Sequence, residues 1–154
     1  MDLVYNLFKF LHVVAVIVWV GGLVAISVIN ARLAREHDPA QMAPLTRASG
    51  FFGGVIVAPA AALTLIAGLV MVANARMSFA TLWIAWGLGG LLVSLLLGAT
   101  LIRRAGTELS AAIQGADSDP SRTEALQRRL RTLSLLNLLI LFSAVGAMVF
   151  KPTL

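Results

Sequence analysis

The chain has 154 residues, of which 59% are hydrophobic and 12% charged, and its formal net charge is +5. Soluble domains are about 45–50% apolar, so this composition predicts an integral membrane protein whose main partner is the lipid bilayer. The excess of arginine is typical of membrane loops and does not call for a nucleic-acid partner. The absence of cysteine excludes disulfides, thiolate metal sites and cysteine nucleophiles.

Four apolar runs occupy most of the chain, and each is long enough to cross a membrane as a helix, which takes about 20 residues. The runs cover residues 3–29, 51–73, 79–102 and 133–150. They predict an all-α fold, an integral membrane four-helix bundle that forms a single transmembrane domain over residues 1–154. None of the runs contains an acidic residue, which argues against proton pumping and cation-coupled transport.

The charges of the loops predict the orientation of the bundle. Arginines are concentrated in loops 30–50 and 103–132, whereas the short turn at 74–78 holds only Arg76. Loops rich in lysine and arginine stay in the cytoplasm. We therefore expect these two loops to be cytoplasmic and both termini to lie outside, an N-out/C-out topology. The expected location is the bacterial inner membrane, as a multi-pass protein.

The first apolar run carries His12, and an ionisable side chain at membrane depth is costly enough to be a functional candidate. Helical spacing places Lys9 and Trp19 on the same face as His12. The neutral imidazole can ligate a haem iron or another metal, with Lys9 toward a propionate and Trp19 against the macrocycle. Alternatively, His12 only forms a hydrogen bond to a neighbouring helix. His37, in the first loop, is interpreted as a solvated residue.

Small residues and prolines predict how the helices pack and where they bend or begin. Gly22 permits the close approach of a backbone or of a flat ligand, and Pro59 should bend the second helix. Small residues expected in close helix contacts are Ala58 and Ala62 of the second run and Gly90, Ser94 and Gly98 of the third. Ser78 is expected to cap the third helix, and the capping box at 121–124 should begin the fourth.

Three segments carry a family resemblance. The first reads LFKFLHVVAVIVWVGGL, the second reads VAPAAALTLIAGLVMV, and the chain ends on AMVFKPTL. In this order they resemble helices one, two and four of the HemJ-type protoporphyrinogen oxidases and of the CopD copper-resistance membrane domain. Within this group, the chain is similar to an uncharacterised bacterial family of four-helix integral membrane proteins.

The resemblance implies a site for haem b. His12 matches the histidine associated with haem in HemJ-type proteins, and Trp19, Gly22 and Lys151 match other positions typical of the group. The third run departs from the pattern, because it has no ionisable residue before Arg103, whereas HemJ-type third helices carry histidine and lysine. We therefore do not expect protoporphyrinogen oxidase activity, and we do not predict an enzyme.

The sequence leaves three functions open. The first is a b-type haem protein in redox or haem handling, whose second iron ligand comes from His12 of a homodimer partner, Lys151, a methionine or water. The second is copper handling, in which Met71, Met77 and Met148 accompany His12. The third is a non-catalytic accessory subunit that packs in a larger membrane complex.

Overall fold

The computed structural model describes residues 3–33, 35, 39–114 and 119–152. These residues are helical almost throughout, without a strand among them. Helices long and apolar enough to cross a membrane are Leu3–Leu33, Gln41–Asn74, Leu82–Gln114 and Pro120–Phe150. The all-α fold and the four membrane-spanning helices are thereby confirmed. The orientation in the membrane stays a prediction.

Each spanning helix is longer than its apolar run, because the helices continue into the arginine-rich loops. The first is α1 (Leu3–Leu33), and the fourth, running the full length between the last loop and the C-terminal tail, is α6 (Pro120–Phe150). The second consists of α2 (Pro39–Phe52), a first π turn (Gly53–Val57) and α3 (Ala58–Asn74). The third consists of α4 (Leu82–Leu97), a second π turn (Gly98–Ile102) and α5 (Arg103–Gln114).

The first π turn lies directly before Pro59, where the sequence predicts a bend. Pro59 has no N–H to donate, so the ordinary helical pattern is interrupted at this level. The N–H of Ala58 reaches back to the carbonyl of Gly53, which is the wider hydrogen bond of a π turn. In the second π turn no proline is present. There the hydroxyl of Thr100 bonds to the carbonyl of Leu96 and competes with the backbone ladder.

The third spanning helix begins three residues later than its apolar run. Its first residue is Leu82, after Thr81 in an extended conformation. The hydroxyl of Ser78 accepts a hydrogen bond from the N–H of Ala80 at 3.2 Å, inside the turn. The prediction that Ser78 caps this helix is therefore wrong, because the serine stabilises the preceding turn instead.

The fourth spanning helix begins with a different cap from the predicted box at 121–124. Asp119 is the N-cap, and its carboxylate accepts a hydrogen bond from the N–H of Ser121 at 2.9 Å. Pro120 follows at the first helical position, which suits a residue without an N–H. Glu124 does not return to the cap but pairs with Arg128 at 2.7 Å. The capping box is thus wrong, because the aspartate–proline pair begins the helix earlier.

The spanning helices pack against one another in two close pairs. α1 packs along α3, α4 packs along α6, and α1 joins the pairs by its contact with α6. Small residues make these contacts close. A Cβ at Gly22 would lie 2.7 Å from Cγ2 of Val57, and one at Gly90 would lie 3.1 Å from Cβ of Ala144. Neither position has room for a larger side chain, which agrees with the predicted contact at Gly90.

The other predicted small-residue contacts are only partly correct. Ser94 is buried, but no described atom lies within 4 Å of a Cβ added at Gly98. Ala58 and Ala62 are exposed, so their predicted packing is wrong. The buried face of α3 is instead formed by Ala60, Ala61, Thr64 and Ala67. A π turn holds more residues per turn than an α-helix, so spacing counted along a regular helix does not carry over from α2 to α3.

Buried apolar residues form two separate clusters. The middle core lies halfway along the helices and consists of Trp19, Val57, Ala60, Ala61, Leu91 and Leu141. The loop-end core lies where α1 and α5 end and α2 and α6 begin, and consists of Leu33, Met42, Ala105, Leu109, Ile113 and Leu130. The two π turns lie between these cores and do not contact each other. The second and third spanning helices are therefore apart at this level.

Candidate functional site

His12 is held in one orientation by α3. Its Nδ1 lies 2.9 Å from the carbonyl oxygen of Thr64. Because a carbonyl can only accept, Nδ1 donates this hydrogen bond, and in the neutral ring Nε2 keeps its lone pair. Gly68 leaves space for the ring, since a Cβ there would lie 3.2 Å from Cε1 of His12. The imidazole is thus fixed in the tautomer whose Nε2 can act as a ligand or as an acceptor.

The other predicted site residues do not gather around His12 in one pocket. Trp19 is buried in the middle core, and Gly22 is buried against Val57. Lys9 is exposed on α1. The ammonium of Lys151 lies 5.5 Å from the centre of the Trp83 ring, a cation–π contact. Trp19, Gly22 and Lys151 thus pack against residues other than His12.

The space nearest to His12 inside the bundle is small. A cavity of about 20 Å³ lies between α1, α3, α4 and α6, and its lining includes Val16, Trp19, Thr64 and Met148. This volume is about that of one water molecule. A cavity of this volume has no room for a haem.

A much larger cavity lies between the two cores, on the opposite side of Trp19. Its volume is about 870 Å³, toward the upper end of the about 300–1,000 Å³ typical of small-molecule sites. Both π turns line it, with Gly53, Gly54 and Gly98 at the walls. The cavity is a cleft that is open on one side, since Phe51, Gly54 and Ala58 of its lining are exposed. π turns within helices are also frequent at functional sites.

Three residues that line this cavity, Ser49, Ser94 and Asn137, carry a buried polar atom without a partner among the described residues. Ser94 and Asn137 are each 2% exposed. The hydroxyl oxygen of Ser94 and the carbonyl oxygen Oδ1 of Asn137 have no hydrogen-bond partner among the described residues. Most buried polar side chains are hydrogen-bonded, so three orphan atoms on one cavity require an explanation. Because these atoms have almost no accessible surface in the structure, a molecule in the cavity reaches them only when neighbouring side chains shift.

Two arginines line the same cavity at its loop end. Arg47 comes from α2, and Arg103 is the first residue of α5. Both side chains are exposed, and neither has an acidic partner within the described parts of the chain. The cavity therefore has a cationic rim and a buried polar end, and its walls between them are glycine-rich and apolar.

A comparison with models of protein families identifies the family of this sequence. A family model described as a predicted integral membrane protein (DUF2269) matches residues 6–152. The chain belongs to the DUF2269 family. No curated protein and no solved structure matches it. The DUF2269 description agrees with the four spanning helices and makes this a multi-pass membrane protein that contacts lipid.

In this DUF2269 protein, the structure describes the methionines predicted to accompany copper but not the loop histidine His37. Among the described residues, no group of three or more histidine, cysteine, aspartate or glutamate side chains could hold a metal ion. Met148 lies against Gly87, where its Cε is the atom nearest to a Cβ added at the glycine. His37 lies outside the described residues.

The large cavity was missed in the sequence, where most of its residues were assigned to packing or to loops and Trp19 was assigned to the haem site. Its clearest signal is Asn137, an amide near the start of the fourth apolar run. A second signal is the pair Gly53–Gly54 in one helix and Gly98 in the next. Because these residues have no side chains, they leave space between the two helices at the same depth. Neither signal specifies a cavity until the helix faces are known.

Proposed function

We propose that this protein is a membrane-embedded binding protein, whose ligand is a small amphipathic molecule held in the large cavity. The observation that carries the proposal is a cleft of about 870 Å³ whose lining includes three side chains with an unpartnered buried polar atom, Ser49, Ser94 and Asn137. Leaving a buried polar group unsatisfied costs about 1–3 kcal/mol. A ligand that bonds to these atoms offsets that cost.

A purely structural bundle is the alternative, and the shape of the helices argues against it. Four apolar helices can close around a filled core, as they do in the middle core and in the loop-end core. Between those cores both facing helices widen into π turns at the same level. The two helices are widened at the same place where glycines leave out side chains. This combination favours a bound molecule over a packing fault.

The proposal is tested by adding a large side chain to one wall of the cavity. Gly98→Leu adds a side chain where no described atom lies within 4 Å of the new Cβ, so the protein should still fold. Gly89→Leu is the matched control, since it too has open space but does not line the cavity. Small molecules retained through purification would be extracted and identified by mass spectrometry. We expect one retained species in the native protein and in Gly89→Leu, and its loss in Gly98→Leu. Equal retention in all three would contradict the proposal.

Haem b bound at His12 is a second candidate, and the orientation of the imidazole favours it. The bond from Nδ1 to the Thr64 carbonyl leaves Nε2 unprotonated and free of partners among the described residues. Histidine ligands of metals usually have such a second bond on the other nitrogen. Lys9, exposed one turn toward the N-terminus, would face the propionates. Trp19, Gly22 and Lys151 would act only at a distance in this arrangement.

The absorption spectrum of the purified protein tests the haem candidate. A Soret band in the native protein that disappears in His12→Ala, with unchanged expression in the membrane, supports haem ligation by His12. A copper content that depends on His12, without that band, would favour copper handling instead. Absence of both from protein expressed with ample haem and copper would refute both metal functions and leave the cavity proposal standing. An accessory subunit without a ligand would give neither signal and no retained molecule.

A further inference from the structure

We propose that the molecule in the large cavity is an anionic amphiphile, with a carboxylate or phosphate bound by Arg47 and Arg103 and an apolar body that extends toward Ser94 and Asn137. This inference rests on the proposed binding function and adds the chemical class of the ligand. Arg47 and Arg103 come from different helices and both line the same cavity. Guanidinium groups suit the planar, multi-oxygen geometry of carboxylates and phosphates.

The charge around the two arginines is not balanced by the described protein. Each acidic side chain that the structure describes is engaged elsewhere: Glu108 with Arg129 at 3.7 Å, Glu124 with Arg128 at 2.7 Å, and Asp119 with Ser121 as a helix cap. Arg47 and Arg103 therefore have no acidic partner among the described residues, and an anionic group on the ligand would supply one.

The two ends of the cavity call for different groups on the same ligand. The rim offers positive charge, whereas the buried end offers the hydroxyl of Ser94 and the amide of Asn137. An apolar chain alone would leave those two groups unsatisfied. A ligand that also carries a hydroxyl along its body would satisfy them, so we expect a hydroxylated chain to bind more tightly than a plain one.

Trp19 provides a reporter, because it lines the cavity and is only 5% exposed. The chain has three tryptophans, and replacing Trp83 and Trp86 by phenylalanine leaves Trp19 alone. Bromine atoms on an acyl chain quench tryptophan fluorescence at contact distance. Titration in detergent with dibromostearate, and in parallel with its neutral methyl ester, compares the charged and uncharged head on the same body. We expect saturable quenching by the acid at concentrations about tenfold lower than for the ester.

Matched variants test which arginines cause the preference for the acid over its methyl ester. Arg47→Gln with Arg103→Gln should remove the preference for the acid, whereas Arg104→Gln with Arg131→Gln, both exposed and outside the cavity, should keep it. In competition, 12-hydroxystearate should displace dibromostearate better than stearate does. That advantage should disappear when Asn137→Leu and Ser94→Ala are combined.

The outcomes separate the ligand class from the binding function. Equal quenching by acid and ester, blocked by Gly98→Leu, would overturn the anionic class but keep a binding cavity. Quenching that Gly98→Leu does not reduce would refute the cavity site itself. In nanodiscs of brominated phosphatidylglycerol, quenching without any added acid would identify a bilayer lipid as the anion source. If the tryptophan variant does not fold, thermal stabilisation of the native protein by stearate, but not by its methyl ester, gives the same comparison.

Discussion

At the scale of single residues, two adjacent glycines on α1 have different surroundings. No described atom lies within 4 Å of a Cβ placed at Gly21, whereas one placed at Gly22 would lie 2.7 Å from Cγ2 of Val57. Val57 is buried and β-branched, so its side chain cannot easily turn away. Alanine at Gly21 therefore changes only the helical propensity, whereas alanine at Gly22 also brings a steric clash with Val57.

We expect Gly21→Ala to raise the thermal stability in detergent, because alanine stabilises a helix interior by about 0.5–1 kcal/mol relative to glycine. Gly22→Ala should lower it, by about 1–3 kcal/mol, because the contact with Val57 becomes overpacked. Melting curves of the two variants beside the native protein give the measurement. A stabilised Gly22→Ala would show that α1 and the first π turn are farther apart than described.

Residue type identified the polar candidates in the sequence, but their partners depend on the fold. His12 stands out because it is ionisable within an apolar run. Its bond to the Thr64 carbonyl could not be predicted, since the two residues are 52 positions apart and a carbonyl is offered by every residue. Asn137 became significant only when α4 and α6 placed it and Ser94 on one cavity.

At the scale of elements, the start of α6 depends on a charged cap outside the membrane. The hydrogen bonds from the hydroxyl and the N–H of Ser121 lower the pKa of Asp119 from its ordinary value of 3.8, because they favour the carboxylate form. A lowered pKa means that the folded helix start prefers the charged group. Its contribution to stability is therefore complete above the ordinary value and is lost as the pH falls through the lowered pKa.

We expect hydrogen exchange of the Ser121 amide to become faster below about pH 4, after correction for the intrinsic rate, because protonation weakens the cap. Asp119→Asn keeps an acceptor and should remove this pH dependence. Asp119→Ala should speed exchange at every pH, since the acceptor is gone. An unchanged rate in Asp119→Ala would mean that Pro120 alone determines where the helix begins.

The contact between α4 and α6 predicts a second difference between variants. A Cβ at Gly90 would lie 3.1 Å from Cβ of Ala144, and lipid cannot replace the close packing that a bulky side chain removes. Gly90→Leu should lower the melting temperature in detergent, with a loss of at least about 1–3 kcal/mol. Leu96→Ile is the control, because Leu96 is 64% exposed on the lipid-facing side. Equal melting temperatures for the two variants would contradict the packing of α4 on α6.

The element boundaries illustrate what the sequence determines and what it does not. Hydropathy located four spanning helices because each span is far longer and more apolar than a buried soluble helix. It placed the third helix too early, since the turn residues before Leu82 are themselves partly apolar. It also gave no sign of the second π turn, which contains no proline.

At the scale of the whole molecule, the orientation determines which compartment the cationic rim of the cavity faces. The arginine-rich loops predict that α5 ends in the cytoplasm and that the turn between α3 and α4 lies outside. Arg47 and Arg103 would then lie near the cytoplasmic headgroups, where an anionic ligand would enter from the inner leaflet. The structure of the isolated chain is the same for either orientation.

The natural chain has no cysteine, so single cysteines report the orientation directly. Ser78→Cys lies in the short turn, and Gln114→Cys lies at the end of α5. Both positions are exposed. In intact cells a membrane-impermeant maleimide should label Ser78→Cys and leave Gln114→Cys unmodified, and in inverted membrane vesicles the pattern should reverse. Solubilised protein should label at both positions, which controls for reactivity. The opposite pattern in cells would place the arginine-rich end of the bundle outside and turn the mouth of the cavity toward the outer leaflet.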